Sequence, residues 1–96
     1  MATPLTAGMA GLTREYLQSR GQSSPSAALV KATILNGAEN ISPGQYGTGV
    51  AREIPDAPPP NNVSGWGRAN LGNIATPGAG ANFLFYDVQN SLTTGQ

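Results

Sequence analysis

The sequence predicts a mainly α-helical chain with one short β element, arranged as a helical hairpin, a long Gly/Pro-rich loop and one C-terminal strand. Apolar residues recur every three or four positions up to residue 38, which is the period of an α-helix. Glycine and proline, 13 and 8 of the 96 residues, cluster after Gly37 and disfavour long regular elements there. One aromatic run near the C-terminus has the composition of a strand.

The first helix is predicted from about Pro4 to Ser19. Its apolar residues follow each other at spacings of four, three and four, on one stripe: Leu5, Met9, Leu12 and Tyr16. Thr3 is a suitable N-cap before Pro4, and Gly21 can adopt the left-handed conformation that ends many helices. The segment 7–11 is small or apolar on every side, which suits close packing inside a larger body.

The second helix is predicted from Pro25 to about Ala38. Ser24 before Pro25 repeats the signal of a cap followed by proline. Its apolar residues again recur at three or four positions: Ala27, Val30, Ile34, Ala38 and Ile41. Because the connection 21–24 is short, we expect a helical hairpin in which the stripe of the first helix packs on Val30, Ile34 and Ala38.

The second half of the chain is predicted to be irregular. Residues 42–64 form a long loop that should tolerate substitution and be the first site of proteolysis. A short helical turn is expected within 69–75, and a strand over 82–88. A lone strand is not stable, so its partner must lie in the loop or outside this chain.

Charge and residue content exclude several classes of function. Five basic and five acidic residues cancel, so no electrostatic case exists for binding nucleic acid or an anionic membrane. No apolar run approaches the roughly 20 residues of a membrane span, and no signal peptide is visible. Histidine and cysteine are both absent, which excludes imidazole bases, the usual zinc ligands, thiolate nucleophiles and disulfides.

We assign no catalytic, cofactor-binding or metal-binding residue from the sequence. A Ser-Lys dyad would require Lys31, the only lysine, which the helical pattern places on a solvated face. Five carboxylates could pair for acid–base chemistry or bind a hard cation, but none has the spacing of a known motif: Glu15, Glu39, Glu53, Asp56 and Asp87. The segment 44–49 lacks the features of a P-loop, and Trp66, between two glycines, could either pack against the chain or stack on a ring of a ligand.

Three segments carry a resemblance to subtilisin-like serine proteases. Residues 1–8, Met-Ala-Thr-Pro-Leu-Thr-Ala-Gly, resemble the segment that directly follows the nucleophilic serine in that family. Residues 28–38 are similar to the next helix of the family. Residues 65–71, Gly-Trp-Gly-Arg-Ala-Asn-Leu, resemble the motif that closes the catalytic domain, and we call them the closing motif. The three segments occur in the family's order.

The resemblance implies that the chain is a C-terminal fragment of an α/β subtilisin-like fold. Residues 1–76 would belong to the catalytic domain, and 77–96 would be a linker and the first strand of a following β-sandwich domain. The catalytic Asp, His and Ser of the family would all precede Met1, so we expect the chain alone to be inactive. Members of the family are usually secreted.

Competing hypotheses concern partners. The chain could be a non-catalytic module that binds another protein or itself. We expect a homo-oligomer, most simply a two-fold dimer in which strands pair or helical segments are exchanged, because the segment 7–11 and the strand 82–88 would otherwise be exposed. The missing part of the protease domain is a second candidate partner. A third hypothesis is an enzyme whose site is assembled between chains from serine, lysine and carboxylate side chains.

Overall fold

A computed structural model describes residues 1–76, 82–88 and 92–95. In these residues the regular elements are three helices: α1, Ala2–Ser19; α2, Ala27–Asn36; and α3, Gly72–Ala75. This part of the chain contains no sheet, only isolated antiparallel bridges between Glu39 and Arg68 and between Asn61 and Gly65. None of its helices is long and apolar enough to cross a membrane. The protein is therefore mainly helical, as predicted.

Both long helices begin at a different residue from the one predicted. The N-cap of α1 is Met1 and not Thr3, which places Pro4 in the first turn, where a missing N–H breaks no intrahelical bond. The N-cap of α2 is Ser26 and not Ser24; its hydroxyl accepts a hydrogen bond from the amide of Leu29. Between the helices Gly21 has a φ of 99°, the left-handed conformation expected there.

The core uses a different face of α1 from the one predicted. Leu5 and Leu12 are 67% and 58% exposed, whereas Thr13 and Leu17 are fully buried. Thr13 lies about 100° around the helix from Leu12. The predicted packing on α2 is therefore wrong for Leu5 and Leu12, whereas Met9 and Tyr16 of the same stripe are partly buried. The position of the largest apolar residues does not reveal which neighbours cover them.

Buried threonines lie on both helices of the hairpin. The hydroxyl of Thr13 donates to the carbonyl of Met9 at 2.7 Å, and that of Thr33 donates to the carbonyl of Leu29 at 2.8 Å. Each hydroxyl is thus satisfied by its own helix, so that burying it carries little penalty.

The short helix α3 lies within the predicted turn 69–75 and contributes Ile74 to the core, where it is almost fully buried.

Residues 42–64 contain no helix or strand, as predicted, but their first half is held by specific hydrogen bonds. The side chain of Arg52 donates to the carbonyl of Ile54 at 2.6 Å and to the hydroxyl of Ser42 at 2.8 Å, and Ile54 is buried. Early cleavage of this loop by proteases stays a prediction, and we expect it within the exposed turn 45–50.

The segment 82–88, predicted as a strand, belongs to no helix and to no strand ladder among the described residues. Its side chains nevertheless alternate in burial with the period of a strand: Phe83, Phe85 and Asp87 are partly buried, and Leu84, Tyr86 and Val88 are exposed. The predicted linker and first strand of a following domain span 77–96. Three parts of this range, which include the linker, lie outside the described residues: 77–81, 89–91 and 96.

Candidate functional site

The closing motif is bound to the chain that follows α2. The amide of Glu39 donates to the carbonyl of Arg68, and the amide of Arg68 donates to the carbonyl of Glu39, both at 2.8 Å. The two side chains form an ion pair with Nη2 of Arg68 2.6 Å from Oε2 of Glu39. Main chain and side chain together therefore fix the closing motif to the chain just after α2, although 29 positions separate the two residues.

The carboxylate of Glu39 is the centre of this contact. Besides Arg68 it accepts a hydrogen bond from Nδ2 of Asn70 at 2.8 Å and a longer one from Asn73 at 3.5 Å. The bond from Arg68, followed by that from Asn70, lowers the pKa of Glu39 below its ordinary value of 4.5, and burial opposes this only in part. Because donors occupy both oxygens, Glu39 is suited to holding the closing motif and not to accepting a substrate proton.

Glycines allow the close approach in this contact. Gly67 has a φ of 108°, and a Cβ atom there would overlap the carbonyl group of Glu39. A Cβ at Gly37 would lie 2.8 Å from the carbonyl oxygen of Asn70 and 2.8 Å from Cγ1 of Ile74. Both positions therefore require glycine for the main chains to meet.

Trp66, in the same motif, is 49% exposed. Packing, which the resemblance implies for this residue, thus accounts for only about half of its surface. The exposed half makes no ring contact with another aromatic residue in the described part of the chain.

A second contact fixes the segment 82–88 against the connection between α1 and α2. Oδ2 of Asp87 accepts the amide of Ser26 and Oδ1 accepts its hydroxyl, both at 2.7 Å. The side chain of Gln22 donates to the carbonyl of Phe85 at 3.1 Å. Asp87, one of the five carboxylates without the spacing of a known motif, is therefore a structural residue, and a separation of 61 positions left no local signal of this.

An aromatic cluster lies beside that contact. The rings of Tyr16 and Phe85 meet edge to face, with centroids 5.9 Å apart. The guanidinium of Arg20 lies 5.5 Å from the centroid of Phe85 and donates to the hydroxyl of Tyr16 at 2.9 Å and to the carbonyl of Phe83 at 3.1 Å. This arginine is consequently occupied by the protein itself.

The remaining candidate site is an open groove of about 560 Å³ between α1 and α2, which we call the hairpin groove. Its lining is mostly small or apolar and includes two cationic side chains: Ala10, Gly11, Arg14, Ala27, Val30 and Lys31. In the described part of the chain, neither Arg14 nor Lys31 forms a hydrogen bond or ion pair, so Lys31 has no serine beside it as a dyad would require. The volume lies within the range of roughly 300–1,000 Å³ found for ligand sites.

The five carboxylates are not gathered into a site. Glu39 and Asp87 are held in the separate contacts described above, and Asp56 lies 3.8 Å from Arg52. Over the described ranges no three His, Cys, Asp or Glu side chains lie close enough together to hold a metal ion. Among the described residues, the hairpin groove is therefore a better candidate for binding than any carboxylate cluster.

No family model, curated protein or solved structure matches this chain.

Proposed function

We propose that this chain is a scaffold segment of a subtilisin-like serine endopeptidase, inactive in hydrolysis by itself. In this proposal α1 follows the nucleophile of the parent enzyme, α2 is the next helix, and 82–88 begins a further β-domain. The α/β parent fold and the short β element are part of the same proposal.

The contact between Glu39 and Arg68 is the observation that carries the proposal. The resemblance of residues 65–71 to a closing motif requires that they pack against the body of the domain, and Arg68 is bound to Glu39 in the chain that follows α2. Gly67 and Arg68, two of the residues on which the resemblance rests, make this contact. The presence of both residues in this contact supports the proposal.

The beginning of α1 gives further support. The helix starts at Ala2, and the amides of Ala2 and Thr3 belong to the first turn, where no intrahelical carbonyl is available to accept from them. A nucleophile placed before such a helix would gain from the positive end of the helix dipole and from these donors. Ala7 and Gly8 are exposed, as expected if the rest of a catalytic domain normally covers them.

Two measurements test the proposal. The purified chain should not hydrolyse a chromogenic peptide anilide, because it has neither histidine nor cysteine and no serine beside Lys31 in the described part of the chain. The coding sequence upstream of codon 1 should contain, in frame, an Asp motif, a His motif and a terminal Gly-Thr-Ser. Turnover abolished by a single Ser→Ala change, or an upstream frame without those motifs, would contradict the proposal.

A self-associating module is the second candidate function. It is favoured by the exposed apolar side chains on α1 and on the segment 82–88: Leu5, Leu12, Leu84, Tyr86 and Val88. Pairing between two copies of the segment 82–88 would supply the neighbour that a strand needs and would give a two-fold homodimer. Light scattering distinguishes this candidate, because a stable monomer at micromolar concentration contradicts it.

A further inference from the structure

We propose that the hairpin groove is a docking site for an acidic amphipathic helix of a partner protein. The groove combines an apolar lining with two cationic side chains, Arg14 and Lys31. A helix with an apolar stripe and carboxylates beside that stripe matches both properties.

The contacts made by the five Lys and Arg side chains support this proposal. Three of them bond to groups of the chain itself: Arg20, Arg52 and Arg68. Arg14 and Lys31 are the two that have no such partner among the described residues, and both line the groove. The free positive charge of the hairpin is thus concentrated where a partner would lie, and it favours an anionic partner.

The shape of the groove favours a helix. Ala10, Gly11 and Ala27 are small and allow the main chain of a docked helix to approach closely, while Val30 offers apolar contact. The 10 residues of α2 span about 15 Å, which corresponds to nearly three turns of a partner helix. Three turns place apolar residues at i, i+3, i+4 and i+7 on the groove.

A second copy of the hairpin is a poor occupant. The two helices contain one carboxylate, Glu15, and it does not line the groove. Two hairpins docked groove to groove would bring Arg14 and Lys31 close to the same residues of the other copy, with no acidic side chain from either helix between them. Like charges at an interface disfavour association, so the charge pattern selects a different chain.

The first test measures binding of three labelled 14-residue model peptides by fluorescence anisotropy. All three carry leucines at i, i+3, i+4 and i+7, flanked by two glutamates, two glutamines or two lysines. The glutamate peptide should bind about tenfold more tightly than the glutamine peptide, and the lysine peptide most weakly. Added salt should reduce the difference.

Two glycines provide a matched pair of variants for the second test. A Cβ atom at Gly11 or at Gly8 meets nothing within 4 Å, and leucine favours a helix more than glycine does, so Gly11→Leu and Gly8→Leu should both fold. Only Gly11 lines the groove. Gly11→Leu should therefore abolish binding of the glutamate peptide, and Gly8→Leu should not.

A charge reversal completes the design. The double variant Arg14→Glu/Lys31→Glu changes two exposed side chains and should bind the lysine peptide better than the glutamate peptide. Equal binding of the three peptides to the wild-type chain, or unchanged preference in the double variant, would overturn the proposal. A wild-type dimer that Gly11→Leu dissociates and Gly8→Leu does not would overturn it too, because the groove would then hold a second copy.

Discussion

The hydroxyl of Ser26 connects α2 to the segment 82–88. It accepts a hydrogen bond from the amide of Leu29 at 3.1 Å, which caps α2, and donates to Oδ1 of Asp87 at 2.7 Å. The amide of Ser26 donates to Oδ2 of the same carboxylate. Asp87 thus lies at the N-terminus of α2, where the helix dipole favours a negative charge. The start of the helix and the docking of the segment are therefore coupled.

Replacing Asp87 with alanine should destabilise the chain by about 1.5–3 kcal/mol, because two hydrogen bonds to a charged acceptor are lost. Urea unfolding followed by circular dichroism measures the change. Asp56→Ala is the matched control: the Asp56 side chain is 94% exposed and its ion pair with Arg52 is long, so its loss should have little effect. Equal effects of the two substitutions would contradict the role of Asp87 as an anchor.

Leu17→Ala should cost about 2–5 kcal/mol of unfolding free energy, because the side chain is fully buried and its removal leaves a cavity. Leu12→Ala, one and a half turns away and mostly exposed, should change stability by no more than about 0.5 kcal/mol. Urea midpoints of the two variants compare them directly. A larger loss of unfolding free energy for Leu12→Ala than for Leu17→Ala would contradict this assignment and would favour burial of the face of α1 that the apolar stripe predicts.

Acid should weaken the contact between Glu39 and Arg68. The pKa of Glu39 is lower in the folded chain than its ordinary value of 4.5, so its contribution is fully present above about pH 4.5. The contribution is lost as the pH falls through the lowered folded value. Urea midpoints are measured at several pH values between 7 and 2. They should decline less steeply with acid for Glu39→Gln than for the wild-type chain. Glu15→Gln, which changes an exposed side chain of α1, is the control and should follow the wild-type profile. Parallel profiles for wild type and Glu39→Gln would contradict this linkage.

Gly67→Ala should be more destabilising than Gly47→Ala. Both glycines have positive φ, 108° and 75°, and alanine is disfavoured there by roughly 1–2 kcal/mol. Gly47 has open space for a Cβ atom, whereas at Gly67 the added atom would overlap the carbonyl of Glu39 and separate the closing motif from α2. Thermal unfolding measures both costs, and similar melting temperatures would show that the close approach at Gly67 is not required.

The sequence alone determined which parts of the chain are helical and where the irregular region begins. The period of three to four residues predicted both long helices, and Gly21 was identified as the left-handed residue between them. These are local properties: hydrogen bonds within a helix and the conformational freedom of glycine depend on neighbouring residues. The helix starts were misplaced because Met1 and Ser26, and not Thr3 and Ser24, occupy the N-caps.

Only the tertiary structure decided which faces are buried and what each charged side chain does. Thr13, and not Leu12, is buried in the core of the described structure, in which α1 packs against α2. Glu39 and Asp87 acquired separate structural roles through partners 29 and 61 positions away, and Arg14 and Lys31 came to share one groove. Such contacts join residues that no local pattern relates, since they depend on how the helices and loops pack against each other.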